Sequence, residues 1–462
     1  MKILAIRAIL TIVATVSGVV DAIPIPDPAY GGAGDGVARV TFEVSTFFAY
    51  EPFAGVALPD GRLLLAGRVA GQFSQDAAFA LLTTDGTLDM SFGPNQDGRL
   101  VAGLEPADVA GVALAPGNKL LFVGTASNAA MIGRMTYTGA PDATFDTDGQ
   151  RFVGANAFVD GGSVAEFVRT APQEGGKLLA VGFAASTTIE CAVAMRFNDD
   201  GSSDTTFGDG RGHICIAPAI SSTPASAAFD VAMLDDGRIL LAGTSVYPGS
   251  SSIDMSVARL LPDGTLDTTF GPAQDGWAFV PFDEGGSLAD NANAIAVDAS
   301  GRIVLVGDVS TADLGRIGVA RLQPDGQPDM TFGTNGRTEI DFNSSNYLGA
   351  SGHSVRILSD GHILVGGKAI GNGADYSSIL VMLQENGQLE PHFGQGGRYL
   401  DADLSTPESR HIYGYGQAIA GDYIYMFGDV LDPVDNSIRE FGAVRVVLPV
   451  FSDGFDGVPA GR

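Results

Sequence analysis

Acidic side chains outnumber basic ones by 54 to 26, and several of the acids recur at a fixed spacing. Asp89, Asp142, Asp204, Asp267 and Asp329 each stand three residues before a phenylalanine (Phe92, Phe145, Phe207, Phe270 and Phe332), and Phe393 follows Glu390 in the same way. A ring of carboxylates is one way to bind Ca²⁺. The nearest approaches to a calcium loop, "DTDG" (146–149) and "DDGSSD" (199–204), lack the third acid and the downstream glutamate that such a loop uses. The same spacing suits a structural turn. A glycine supplies positive φ, the acid three residues later accepts backbone N–H groups like a helix cap, and the ring closes the turn on the core. On that reading these residues are structural, no metal or other cofactor is assigned, and Ca²⁺ is kept only as an alternative.

The five histidines, His213, His353, His362, His392 and His411, do not form a metal or nucleophile motif. No HExxH, GxSxG or phosphate-cradling loop is present. Carboxylate pairs for glycoside hydrolysis can be assembled from so many acids, but their separation is not written in a sequence. No catalytic residue is assigned, and a non-catalytic role is favoured over an enzyme.

The elements that position these residues come from repetition. The turn "LPDGTLDTTFG" (261–271) has relatives in "TTDGTLDMSFG", "NDDGSSDTTFG", "QPDGQPDMTFG" and "QENGQLEPHFG", about sixty residues apart. A worn copy, "DPAYGG", places Tyr30 one period upstream, while no copy follows the last apolar strand, "FGAVRVVLP". A second marker ends an apolar run in glycine: Gly67, Gly124, Gly182, Gly243, Gly307, Gly367 and Gly428. Each repeat carries four strand signals, as in "GRGHICIA" (210–217), "AFDVAML" (228–234), "RILLAG" (238–243) and "MSVARLL" (255–261). The third is apolar at successive positions, which implies burial on both faces. This pattern predicts an all-β fold: a seven-bladed β-propeller of four-stranded antiparallel blades. With this phase, "DGTLDTTFG" ends one blade and begins the next. A β-solenoid and separate sandwiches are the competing folds; solenoid repeats are shorter, and sixty-residue sandwiches bury too little surface alone.

The motifs L-x-P-D-G-x-L-D-x-x-F-G and D-G-[RK]-[IL]-[LV]-[LV]-[AV]-G resemble those of the delta-60 repeat family of β-propeller proteins. The resemblance covers nearly the whole chain after its first residues and is weakest in the first and last repeats. It implies a propeller in an exported bacterial protein. The family is defined by its repeat rather than by an activity, so it implies no catalytic residue.

Strand direction sorts the connections. The Asp-Gly turns and the DxxFG turns leave one face, and they are uniform. The other connections leave the opposite face and differ from repeat to repeat, for example 44–53, 244–254, 342–352, 369–378, 405–415 and 429–439. Variable loops on a rigid scaffold are where binding concentrates. The candidate ligand-binding residues there are Phe48, Tyr50, Tyr247, Tyr347, Tyr376, His411, Tyr413 and Tyr415, a mixture suited to glycan or protein contacts. The expected function is an exported binding or interaction scaffold. The alternative is an extracellular polysaccharide hydrolase or lyase with an acidic site on the same face.

A net charge of −28 argues against nucleic acid as a partner. Residues 1–22 read as a secretory signal peptide: Lys2 and Arg7, an apolar stretch from Ala8 to Val20, then small residues before the cut. The propeller then spans 23–449, a short tail spans 450–462, and the protein is expected outside the cytoplasm, secreted or in the periplasm or envelope, without a later transmembrane segment. Cys191 and Cys215 lie equally far on either side of Ser203. If the flanking strands pair, a disulfide forms and closes a loop stabilising the fold by about 3 kcal/mol. The alternative is a pair of buried thiols.

Overall fold

The computed structural model describes residues 24–32, 36–42, 47–71, 74–218, 225–246, 252–282, 285–311, 315–342, 347–371, 376–400, 412–420, 423–431 and 439–447. The predicted signal peptide and C-terminal tail lie outside these. Among the described residues the chain is all-β, with two single 3₁₀ turns at Ala155–Ala157 and Glu174–Gly176.

Two short strands, β1 (Ile25–Pro26) and β2 (Val37–Val40), come first. The chain then repeats one set of antiparallel strands. The first set is β3 (Phe47–Ala57), β4 (Leu63–Gly71), β5 (Gln75–Leu82) and β6 (Arg99–Val101). The second is β7 (Ala107–Ala115), β8 (Lys119–Ala126), β9 (Ala129–Thr136) and β10 (Gln150–Val153). The third is β11 (Val164–Pro172), β12 (Leu178–Ala185), β13 (Glu190–Phe197) and β14 (His213–Ile216). The fourth is β15 (Ser226–Met233), β16 (Ile239–Val246), β17 (Ile253–Leu260) and β18 (Trp277–Val280). The fifth is β19 (Gly285–Val297), β20 (Ile303–Thr311), β21 (Arg316–Leu322) and β22 (Arg337–Ile340). The sixth is β23 (Tyr347–Ile357), β24 (Ile363–Gly371), β25 (Tyr376–Leu383) and β26 (Arg398–Leu400).

The final strands, β27 (Ile412–Ala420), β28 (Tyr423–Leu431) and β29 (Arg439–Val447), take their fourth member from the other end of the chain. β2 lies antiparallel on β29, with Val37 opposite Val444 and Val40 opposite Phe441, and β1 extends the pairing. Single parallel contacts, Ile253 with Ala289 and Arg439 with Ala49, tie the fourth set to the fifth and the last to the first. The leading strand of each set packs on the next: β3 on β7, β7 on β11, and so on to β27, which packs on β3. Apolar clusters fill the spaces between neighbouring sets; one holds Leu121, Val123, Phe167, Val193 and Phe197, and another Leu305, Val309, Val257 and Phe270.

The phase of the repeat differs from the sequence reading. His213–Ile216 pairs with β13 before it, not with β15 after it. The DxxFG turn therefore lies inside one sheet, joining its third and fourth strands, instead of ending one blade and starting another. The turn itself holds the backward pairing: the Asp204 N–H donates to the Arg196 carbonyl at 2.9 Å, and the Arg196 N–H donates to the Gly212 carbonyl at 2.9 Å. The offset leaves the last set one strand short, and the N-terminal strand fills it.

The motif nevertheless links neighbouring sets. In the fourth set Asp267 Oδ1 accepts from the Thr269 N–H at 3.1 Å and its hydroxyl at 2.7 Å, while Oδ2 accepts from Arg259 Nε at 2.8 Å. Arg259 lies 4.5 Å from the centre of the Phe270 ring and also donates to the Pro324 carbonyl of the following set at 2.7 Å. The Gly271 N–H donates to the Asp325 carbonyl at 2.8 Å. Phe270 is fully buried, and its ring fills the space that a side chain on Gly326 would need. Gly326 also has φ 87°, so glycine is required there for two reasons. The unit repeats as Arg134–Asp142–Phe145, Arg196–Asp204–Phe207 and Arg321–Asp329–Phe332. In the first set, whose third strand has Leu81 in place of the arginine, Arg62 holds Asp89 at 2.7 Å; in the sixth, His362 holds Glu390 at 3.2 Å.

The worn copy completes this series. Arg445 of β29 donates to Asp27, and its guanidinium lies 4.9 Å from the centre of the Tyr30 ring. Gly31 then binds the Asp85 carbonyl of the first set at 2.8 Å. The copy missing after the last strand is the one at the start of the chain.

Cys191 and Cys215 form a disulfide between β13 and β14. Val193, not Cys191, is directly opposite Cys215, so the bridge runs diagonally across the pair. The acids "DTDG" and "DDGSSD" serve turns: Asp200 accepts from Ser202, and Asp204 from Thr206 and Arg196.

Phe270→Ala should lower stability by about 3–5 kcal/mol. Chemical denaturation will show this as a shifted midpoint; an unchanged midpoint would mean that the ring is not a link between sets.

Candidate functional site at the axial end

Each leading strand carries a bulge at the same place, after Pro52, Val109, Phe167, Ala228, Ala292, Gly352 and Gly414. A bulge bends its strand and re-aims the side chains beside it. It also drives a carbonyl against the partner strand. A side chain on Gly67 or Gly307 would overlap the carbonyl of Glu51 or Asn291, which explains the glycine marker. The residue after that glycine is free to vary, and it does: Arg68, Thr125, Phe183, Thr244, Asp308, Lys368 and Asp429. Facing it across the strand pair stand Glu51, Asp108, Glu166, Ala227, Asn291, Ser351 and Tyr413. Because the leading strands pack on one another in cyclic order, these positions gather at one end of their common axis, on the side of the variable connections.

Half of this cluster is acidic. Arg68 grips Glu51 (Nε to Oε2, 2.7 Å) and reaches within 4.0 Å of Asp108. Burial raises the Asp108 carboxyl; Arg68 opposes the shift and Glu51 adds to it. Among the described residues no cation stands within ion-pair distance of Glu166, and burial, then the charge of Asp108, pushes it up to about 7.

The other half is a hydrogen-bonded network. Asp308 accepts from Asn293 Nδ2 at 3.0 Å and from the Ser351 hydroxyl at 2.5 Å. Asn293 also donates to the Gly352 carbonyl at 2.8 Å, and Ser351 Oγ lies 2.9 Å from His353 Nε2. Burial pushes His353 down to about 4, against the pull of Asp308 and with help from Lys368 and Arg169, so the ring is neutral at neutral pH. Arg169 also approaches Asp230 at 3.8 Å and donates to the Ala110 carbonyl at 2.9 Å. Burial lowers Lys368, while Asp308 and Asp429 oppose the shift. Ser351, His353 and Asp308 are not a nucleophile triad: the serine hydroxyl donates its hydrogen bond to the aspartate, and among the described residues no acid accepts from the imidazole to orient it.

The aromatic candidates are placed differently. Tyr50 is 5% exposed, and its hydroxyl donates to the Phe42 carbonyl at 2.9 Å, so it belongs to the core and not to a ligand surface. Tyr347 is half-buried at the start of β23, 3.4 Å from the Ser377 hydroxyl. Tyr376, Tyr413 and Tyr415 lie in strands because the hairpins extend into segments that read as loops; their side chains and that of Phe48 lie outside the described residues, as do Tyr247 and His411. Among the described residues no three His, Cys, Asp or Glu are grouped to hold a metal, and no helix is long and apolar enough to cross a membrane. Sequence reasoning missed Arg68, Asp308 and Lys368. The signal was present: they follow an invariant marker and differ in charge from one repeat to the next.

Glu166→Gln should stabilise the protein above pH 7. The raised carboxyl makes ionisation oppose folding as pH climbs from about 4.5 toward 7, and glutamine removes that loss. Melting curves at pH 4 and 8 test this: the variant should gain at pH 8 relative to wild type, and an equal shift at both values would contradict the assignment.

Residues 58–92, 234–270 and 299–332 match the domain of unknown function DUF5122, described as a beta-propeller. Each match runs from the glycine turn before the second strand through strands two and three to the buried phenylalanine. No curated protein matches the chain. Among solved structures, the chain is similar to the polysaccharide lyase Uly1 (9% identity, 93% of this chain and 96% of that one, TM-score 0.44). It is also similar to Sqt1 of Chaetomium thermophilum, solved bound to the N-terminus of ribosomal protein L10 (10% identity, 93% and 100%, TM-score 0.41). A third is the Trypanosoma rangeli sialidase in complex with 2,3-difluorosialic acid (11% identity, 92% of this chain and 56% of that one, TM-score 0.38). The family match and the repeated four-stranded antiparallel sets together identify the fold as a β-propeller.

Proposed function

We propose that this is an exported seven-bladed propeller that binds a glycan at the axial end of its variable face. Six complete sets, and a seventh completed by β2, are its blades, and the Asp27–Tyr30 segment closes the ring. The observation that carries the reading is the contrast between positions. Those that link neighbouring blades are nearly uniform. The facing pairs beside the bulges change from repeat to repeat and bring together carboxylates, a guanidinium, an amine, hydroxyls, an amide and an aromatic ring. Export is favoured by the composition of the first residues and by the Cys191–Cys215 bridge, which persists in oxidising compartments.

A second reading has its own support. Glu166, held partly protonated beside Asp108, has the character of a general acid, which suits a polysaccharide hydrolase or lyase. Product release from the same glycans, lost in Glu166→Gln, would favour it.

The binding reading is tested on an immobilised glycan panel with wild type and Lys368→Met. A bound glycan whose affinity drops at least about tenfold in the variant, with melting unchanged, is the expected result. Full affinity in the variant would place the site elsewhere.

A further inference from the structure

The wall around the axial end is uneven. Above the glycine marker, β3 and β4 continue pairing to Phe47 and Gly71, and β23 and β24 to Tyr347 and Gly371. β19 and β20 continue to Gly285 and Thr311. In the fourth and last sets the pairing stops two residues beyond the marker, at Ser245 and Val430, and in the second set it does so as well, at Ala107 and Ala126. The chain turns back at once through Ser127 and Asn128, both exposed, with φ of 49° and 67°. The longest fully described connection nearby, 154–163, folds away from this point: Phe158 packs edge-on against Phe167 and His213.

The low hairpin leaves a notch whose floor is Asp108 and Thr125. Arg68 with Glu51 stands on one side and Phe183 with Glu166 on the other, all half-buried. Phe183 offers an aromatic face, and the flanking groups are mainly hydrogen-bond acceptors. A sugar ring presents the complement: an apolar C–H face and outward hydroxyl donors. A polyanion would meet Asp108, Glu166 and the exposed Glu105.

Resting on the axial binding reading above, we infer that the ligand is a linear neutral glycan whose end sits over the Ser351–His353–Lys368 side while the chain leaves through the notch, stacking on Phe183. A compact ligand would need only the axial end. A chain would gain affinity from each further sugar until it clears the Ser127–Asn128 turn.

Calorimetry on the full chain with β-1,4-linked glucose and mannose oligosaccharides of two to eight units tests this. Affinity should rise with length and then level off. Lengthening the turn by four glycine and serine residues between Ser127 and Asn128, with melting measured because the Ala165 N–H donates to the Asn128 carbonyl, should remove the length dependence and leave the shortest bound oligosaccharide unaffected. Phe183→Ala should weaken the longer chains at least about tenfold more than the shortest. Binding that does not change with length, or that survives the longer turn with its length dependence intact, overturns the notch and leaves the axial site standing. Binding of a peptide or protein partner with no oligosaccharide bound overturns both.

Discussion

The contact on which the rest of this structure depends is the ring of one DxxFG phenylalanine against the turn glycine of the next set. Four strands of this length bury too little surface to stand alone. Their stability comes from neighbours, and the motif is the part of each sheet that reaches a neighbour. Arg259 shows how the contact is held. It binds its own Asp267, lies over its own Phe270 and donates to the Pro324 carbonyl of the next set. The acid is kept ionised in the bargain: burial alone would raise Asp142, but Thr144, Lys119 and Arg134 together bring it to about 2. The substitutions follow the same logic. Where Leu81 replaces the arginine, Arg62 comes from the preceding turn to the same acid.

A second constraint sets what is left over for function. The bulge in each leading strand forces glycine at one position of the partner strand, and the residue after it reaches the leading strand of the next set, as Arg68 reaches Asp108, Thr244 the Asp290 carbonyl and Asp308 Ser351. Uniform links fix the frame, so these few side chains can change without changing the fold. Acids on one side and a hydrogen-bonded Asp308–Ser351–His353 network with an uncharged imidazole on the other arise from this freedom. The disulfide between β13 and β14 lies one strand outward in the third set, where Cys191 pairs with Ala184 beside Phe183.

Most of the frame was legible in the sequence, because a repeat compares a chain with itself. The period, the four strands per unit, the Asp clamp and the two faces could all be read from spacing. The phase could not. Whether His213–Ile216 pairs backward or forward depends on which hydrogen bonds form across a turn, and both choices satisfy the same apolar pattern. The closing strand followed from the same blind spot, although its two halves, an orphan "DPAYGG" and a missing final motif, stood in plain view. At the axial end, tyrosines drew attention because they sat in irregular segments, and Tyr50 is core because β3 runs on through that segment. Arg68, Asp308 and Lys368 were hidden because each follows an apolar run, and their partners, Asp108 for Arg68 and Ser351 for Asp308, belong to the next set, far along the chain.

If the ring is one cooperative body held by these links, the closing copy should matter to both blades that it joins. Hydrogen exchange of Tyr30→Ala against wild type is the most direct measurement. The expected result is lost protection in β28 and β29 together with the Thr83–Thr87 turn of the first set, while the third and fourth sets keep theirs. Lost protection confined to residues 24–42 would show that the N-terminal segment merely rests on the last sheet, and would contradict the account.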